Sequence, residues 1–160
     1  VHGVGGIQEF YTMSLQNVAL SGPTLFGPLL TNFRNYVQTQ LDSTTYHVLL
    51  ILTDGVIHDM PATKSLIIDL SVMPVSVIIV GVGKADFSMM RELDSDDTRL
   101  TDQAGRQAAR DIVQFVEFNQ AVAKGDLAEQ VLHEVPNQFT SHMQMSGFPC
   151  VPVAQQLPPQ

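Results

Sequence analysis

A single cysteine, Cys150, leaves no partner for an internal disulfide and cannot build a multi-cysteine zinc site. It lies in a Pro-rich stretch, where an incidental thiol is the simplest reading. Basic residues are nearly as scarce. Eight Lys and Arg, no two adjacent, face sixteen Asp and Glu, for a formal charge of −8 and a pI near 4.8. Neutralising phosphates takes clustered Lys and Arg, so nucleic acid is excluded as a ligand class. A bare anionic membrane surface is disfavoured for the same reason, unless a divalent cation bridges the two. No apolar run approaches the roughly 18–20 residues that span a bilayer. No N-x-S/T glycosylation acceptor, initiator Met or signal-peptide pattern occurs, which fits a cytosolic protein or a piece of a longer one.

Enzyme signatures are missing too. There is no G-x-S-x-G nucleophile elbow and no paired acid and base in a suitable setting. Gly3, Gly5 and Gly6 do not spell G-x-G-x-x-G, and Gly81-Val82-Gly83-Lys84 lacks the upstream glycine and following Ser or Thr of a phosphate loop.

What is present is a globular composition, 44% apolar, in a chain of 160 residues that makes one domain by size. Residues 48–54 read V-L-L-I-L-T-D, followed at once by Gly55. An unbroken apolar run ending in a hydroxyl and a carboxylate predicts a central parallel strand, covered on both faces, that delivers Asp54 to its carboxyl end. Ligands of open α/β sheets gather there.

Earlier in the chain, Ile7, Phe10, Tyr11, Leu15 and Val18 predict a helix with one buried face. After the turn Ser21-Gly22-Pro23-Thr24 comes a second helix, with Thr24 as N-cap, Pro28 in its first turn and Phe26, Leu30, Phe33, Val37 and Leu41 at intervals of three or four. Downstream, Asp59 is expected to cap a helix over 60–71, and 75–82 is a β-branched strand closed by Gly81 and Gly83. Asp86 caps a short helix over 87–93, and 94–105 is a solvated acidic loop. A third strand covers 112–118, and a last helix from about Asp126 is kinked or ended by Pro136. A disordered Pro- and Gln-rich tail occupies 148–160. Strands alternating with helices predict a parallel α/β sheet with right-handed crossovers. Three strands leave 48–52 at or near an edge, so earlier strands are expected to be missing from this chain.

Gly22-Pro23-Thr24, the run Leu50-Ile51-Leu52-Thr53-Asp54-Gly55-Val56-Ile57 with Asp59, and Ile78-Ile79-Val80-Gly81-Val82-Gly83 resemble copines. So do Glu92-Leu93-Asp94, Arg110-Asp111-Ile112-Val113-Gln114-Phe115-Val116, and Leu127-Ala128 through Glu134-Val135-Pro136. The motifs keep the family's order over residues 3–147. The resemblance implies the C-terminal portion, residues 1–147, of a copine-type von Willebrand factor A (vWA) domain. That is an α/β, three-layer, doubly wound, integrin-I-like fold with a mostly parallel sheet, here without its N-terminal strands. Copines are cytosolic and bind phospholipid membranes when calcium rises, chiefly through two N-terminal C2 domains that this chain lacks. The resemblance therefore implies a non-enzymatic module that recruits other proteins, with membrane contact and Ca2+ only through those C2 domains, in the cytoplasm or peripherally at the plasma membrane. A related plant group fuses a similar domain to a RING ubiquitin-ligase module, which one cysteine cannot build. The remaining alternative is a truncated domain that only self-associates.

A-type domains hold a divalent ion with D-x-S-x-S from one loop, Thr from a second and Asp from a third. By resemblance, Thr24 takes the second place and Asp54 the third, a partial MIDAS-like site for Mg2+ or Mn2+, since D-x-S-x-S is absent from these residues. The alternative is that Thr24 caps its helix and Asp54 accepts hydrogen bonds from loop amides. Asp94, Asp96, Asp97 and Asp102 do not form an EF-hand, because Arg99 and Gly105 stand where Gly and Glu belong. His2, His47, His58, His133 and His142 show no metal-ligand spacing and are expected at the surface or at strand ends. Met73, Met89, Met90, Met143 and Met145 are read as core fillers.

Overall fold

A computed structural model describes residues 1–19, 21–41, 45–94 and 98–147. Its elements are α1 (Gly3–Leu15), α2 (Gly27–Thr39), β1 (His47–Thr53), α3 (Met60–Leu70), β2 (Val75–Gly81) and α4 (Ser88–Leu93). They continue with β3 (Val113–Glu117), α5 (Phe118–Lys124), α6 (Leu127–Leu132) and α7 (Val135–Met145). The strands form one parallel sheet in the order β1-β2-β3, with Leu50 opposite Ile78 and Ile78 opposite Gln114. This is the α/β class expected, and β1 does lie at an edge.

Side chains alternate across a strand, so each face has its own cover. Ile51, Val77, Ile79 and Phe115 join α2, α3 and α4 in the main core, with Leu30, Val37, Leu70, Met90 and Leu93 at 1% exposure or less. On the other face α7 packs on β2 and α6 on β3, burying Ile78, Val80 and Val116. Nothing among the described residues covers the same face of β1. Val48, Leu50 and Leu52 are 49%, 54% and 68% exposed. The expectation of a strand covered on both faces therefore fails for β1 and holds for β2, every residue of which is buried.

Helix α1 forms where its periodicity predicts, but the expected buried face is absent. Ile7, Phe10 and Tyr11 are each more than 60% exposed, no residue of the helix is buried, and Val18 falls beyond its end. An apolar stripe buries only where an opposing surface exists, and these residues offer α1 none.

The predicted N-cap of α2 also shifts. Phe26, not Thr24, holds the cap position, and Pro28 lies in the first turn as expected. Phe26, Leu30 and Val37 are buried, whereas Leu41 lies past the helix and is exposed. Asp86 accepts from the Ser88 N–H at 2.9 Å at the start of α4, and this bond holds its carboxyl below the usual range.

At the C-terminal end the single helix expected from about Asp126 is two, α6 and α7, and an unexpected helix, α5, precedes them. Phe118 ends the strand reading early by opening α5, which Gly125 closes in the left-handed region at φ +77°. Asp126 stands at the N-cap of α6, and Pro136 lies in the first turn of α7. Pro136 thus begins a helix and does not break one, because a missing N–H costs nothing in a first turn. The Pro- and Gln-rich tail over 148–160 lies outside the described residues.

Candidate functional site

The carboxyl ends of the strands gather Asp54 after β1, Gly83 after β2 and Glu117 at the end of β3. Strand β1 is held up to its last residue, where the Val82 N–H donates to the Thr53 carbonyl at 2.8 Å. Asp54 then projects into solvent. Among the described residues no hydrogen-bond donor reaches its carboxylate.

Thr24 comes from the loop before α2, half-buried. A Cβ placed on Gly55 would lie 3.4 Å from the Thr24 hydroxyl oxygen, so the two predicted residues stand on loops in van der Waals contact. The structure therefore brings the Thr24 and Asp54 loops together, although they are thirty residues apart in sequence. A hydroxyl and a free carboxylate are hard oxygens of the kind Mg2+ and Mn2+ take. The donor type fits, but the number is short. Among the described residues no group of three or more His, Cys, Asp or Glu could hold a metal ion.

Two neighbours of this pair were legible in the sequence only in the wrong role. Asp59 does occupy the N-cap position of α3, yet its carboxylate makes no cap bond there. It accepts instead from the backbone N–H groups of Phe26 at 2.9 Å and Gly27 at 2.7 Å, at the start of α2. His58, expected merely at the surface, is exposed but engaged. Its Nδ1 accepts from the Thr24 backbone N–H at 3.2 Å, and its backbone N–H donates to the Thr24 carbonyl at 3.0 Å. Sequence spacing shows a local cap and is blind to one 32 residues away.

The acidic loop is not simply solvated. Asp102 is 8% exposed and accepts from the Ala104 and Arg106 N–H groups and from Arg106 Nε, the last at 2.8 Å. Burial pushes its carboxyl up, but the bonds from Arg106 outweigh this and hold it below the usual range. Arg106 continues to Asp69, which also pairs with Arg34. This network lies at the opposite end of the sheet. Asp96 and Asp97 lie outside the described residues.

A buried arginine was missed altogether. Arg110 donates through Nη2 to the carbonyls of Met73 (2.6 Å) and Val75 (2.7 Å) and through Nη1 to that of Gln138 (3.1 Å), pinning α7 to the start of β2. Burial lowers its pKa, with the nearby Tyr46 working the other way. His142, also expected at the surface, is 7% exposed beside it, its pKa lowered first by burial and then by the Arg110 charge. Met73 and Met90 are core residues as expected, whereas Met145 is exposed. No helix among the described residues is long and apolar enough to cross a membrane.

The copine family profile matches residues 1–150 of this chain. The chain belongs to the copine family. It is 45% identical to nicotinic receptor-associated protein 1 of Caenorhabditis briggsae over 96% of its own length and 26% of that relative's. The protein of the same name from Caenorhabditis elegans gives the same identity and coverage. Protein BONZAI 1 of Arabidopsis thaliana is 43% identical over 95% of this chain and 27% of its own length. The chain thus spans about a quarter of the length of these relatives. None of these names denotes an enzyme, and copine membership supports a role in contacting other proteins.

Proposed function

We propose that this chain is the non-enzymatic, partner-recruiting module of a copine-like adaptor, and that Thr24 and Asp54 contribute ligands to a divalent ion at its recruiting surface. The observation carrying this reading is the contact between the Thr24 and Asp54 loops at the carboxyl end of β1, with the Asp54 carboxylate exposed and, among the described residues, unbonded. When bound, Mg2+ or Mn2+ would offer an open coordination place to a partner's carboxylate. Thr24 and Asp54 would orient it, and the remaining ligands would be water or oxygens from a D-x-S-x-S loop. Calcium-dependent phospholipid binding would belong to C2 domains in the longer protein, which would work in the cytoplasm and peripherally at the plasma membrane. The name of the Caenorhabditis relatives makes a membrane receptor one candidate class of partner.

The test is thermal melting of a longer polypeptide that supplies the D-x-S-x-S loop. Excess Mn2+ or Mg2+ should raise the melting temperature, and Asp54→Ala should abolish the gain. An unchanged melting temperature would remove the metal from the reading.

A second reading, self-association, is favoured by the bare edge and face of β1. A monodisperse monomer of this chain at micromolar concentration would count against it.

A further inference from the structure

Four hydrogen bonds tie residues 24–27 to His58 and Asp59. The backbone N–H groups of Phe26 and Gly27 donate to the two oxygens of one Asp59 carboxylate, at 2.9 and 2.7 Å. The Thr24 N–H donates to His58 Nδ1 at 3.2 Å, and the His58 N–H donates back to the Thr24 carbonyl at 3.0 Å. The Thr63 hydroxyl, fully buried in α3, braces Asp59 Oδ1 from behind at 3.3 Å. Gly27 is fitted to this arrangement, since a Cβ there would stand 2.7 Å from Asp59 Oδ2.

Asp59 thus places a negative charge at the positive end of a 13-residue helix that is not its own. An ordinary N-cap satisfies the helix that follows it. This one spans two loops, and its consequence is positional. Strand β1 fixes one end of the 54–59 loop, and the bonds to Thr24, Phe26 and Gly27 fix the other. The Thr24 hydroxyl is thereby held against Gly55, the residue next to Asp54.

We infer that His58 and Asp59 are positioning residues, a clasp that fastens the Thr24 loop onto the Asp54 loop in the absence of any ion. The clasp itself stands on the bonds above; its value to an ion rests on the divalent-site reading.

Two arms separate the clasp from the metal reading. The first measures amide hydrogen exchange in this chain without metal, for Asp59→Asn and His58→Ala. Each variant should speed exchange at Thr24, Phe26 and Gly27 together, at least tenfold, while amides of β2 keep their wild-type rates. If each substitution affects only its own bonded amides, or if all amides accelerate alike, the clasp is overturned. Should Asp59→Asn fail to fold, His58→Ala, at an exposed residue, decides the arm alone. The second arm titrates Mn2+ into the longer polypeptide and expects at least fivefold weaker binding for either variant than for wild type. Equal binding would overturn the positioning role. Wild-type protein that binds no Mn2+ would instead overturn the metal reading, and the exchange arm would still settle the clasp.

Discussion

Strands β1 and β2 are neighbours of equal length and similar apolar character, yet one is covered on a single face and the other on both. His47–Thr53 reads H-V-L-L-I-L-T and alternates exposed with buried or half-buried, whereas Val75–Gly81 reads V-S-V-I-I-V-G and is buried throughout. The less apolar strand is the more deeply enclosed. Even Ser76 is 0% exposed, its hydroxyl 2.8 Å from that of Tyr46. Hydrophobicity states what a strand can tolerate, and position in the sheet states what it receives.

The sharpest way to break this comparison is to truncate a buried residue of β2 and an exposed residue of β1. Ile79→Ala should cost about 2–5 kcal/mol in urea unfolding, as for large buried aliphatics generally. Replacing Arg110 by Met keeps much of the volume but removes its bonds to the carbonyls of Met73, Val75 and Gln138, and should cost about 1–3 kcal/mol in the same measurement. A stability equal to wild type would mean that removing the buried charge offsets the lost bonds.

Leu50→Ala, at a 54% exposed position, should cost no more than about 1 kcal/mol in this chain. If it matches Ile79→Ala, something covers the outer face of β1, either another copy or a further part of a longer polypeptide, and the contrast between the strands disappears.

The smallest expected effect is in pH dependence. The pKa of His142 is lowered by burial and by Arg110, so the folded state binds fewer protons than the unfolded state just below the ordinary histidine value of 6.5. Its contribution is complete above that value and declines as pH falls below it, toward the lowered folded value. Melting temperature should therefore fall on acidification below about pH 6.5, and His142→Gln should flatten that slope. Asp102 adds a separate loss only at lower pH, as its depressed carboxyl protonates.

Much of this fold was legible in the chain. The β-branched run at 75–82 and the apolar run at 48–52 read as strands of one sheet, and intervening helical periods made that sheet parallel. Thr24 and Asp54 were legible through motif order, and their loops do meet. Asp59 was misread because a carboxylate just before a helix looks like that helix's own cap. Arg110 was missed because an isolated arginine carries no signal of burial; its partners are main-chain carbonyls, which every sequence has. The division of the last helix at 133–134 was hidden because Leu127, Val131 and Val135 keep a helical spacing across the break.

Local pattern alone determined most of the strands and helices of this protein, though not α5 or the break between α6 and α7, because side-chain periodicity and turn residues act over a few neighbouring positions. It also determined that the chain is acidic, carries one thiol and resembles copines. Only the tertiary structure decided which apolar residues are buried, since burial depends on the surface opposite. Val77 finds one and Leu50 does not. The same holds at the carboxyl end of β1, where three-dimensional proximity turned Asp59 from a cap of α3 into the fastening of α2.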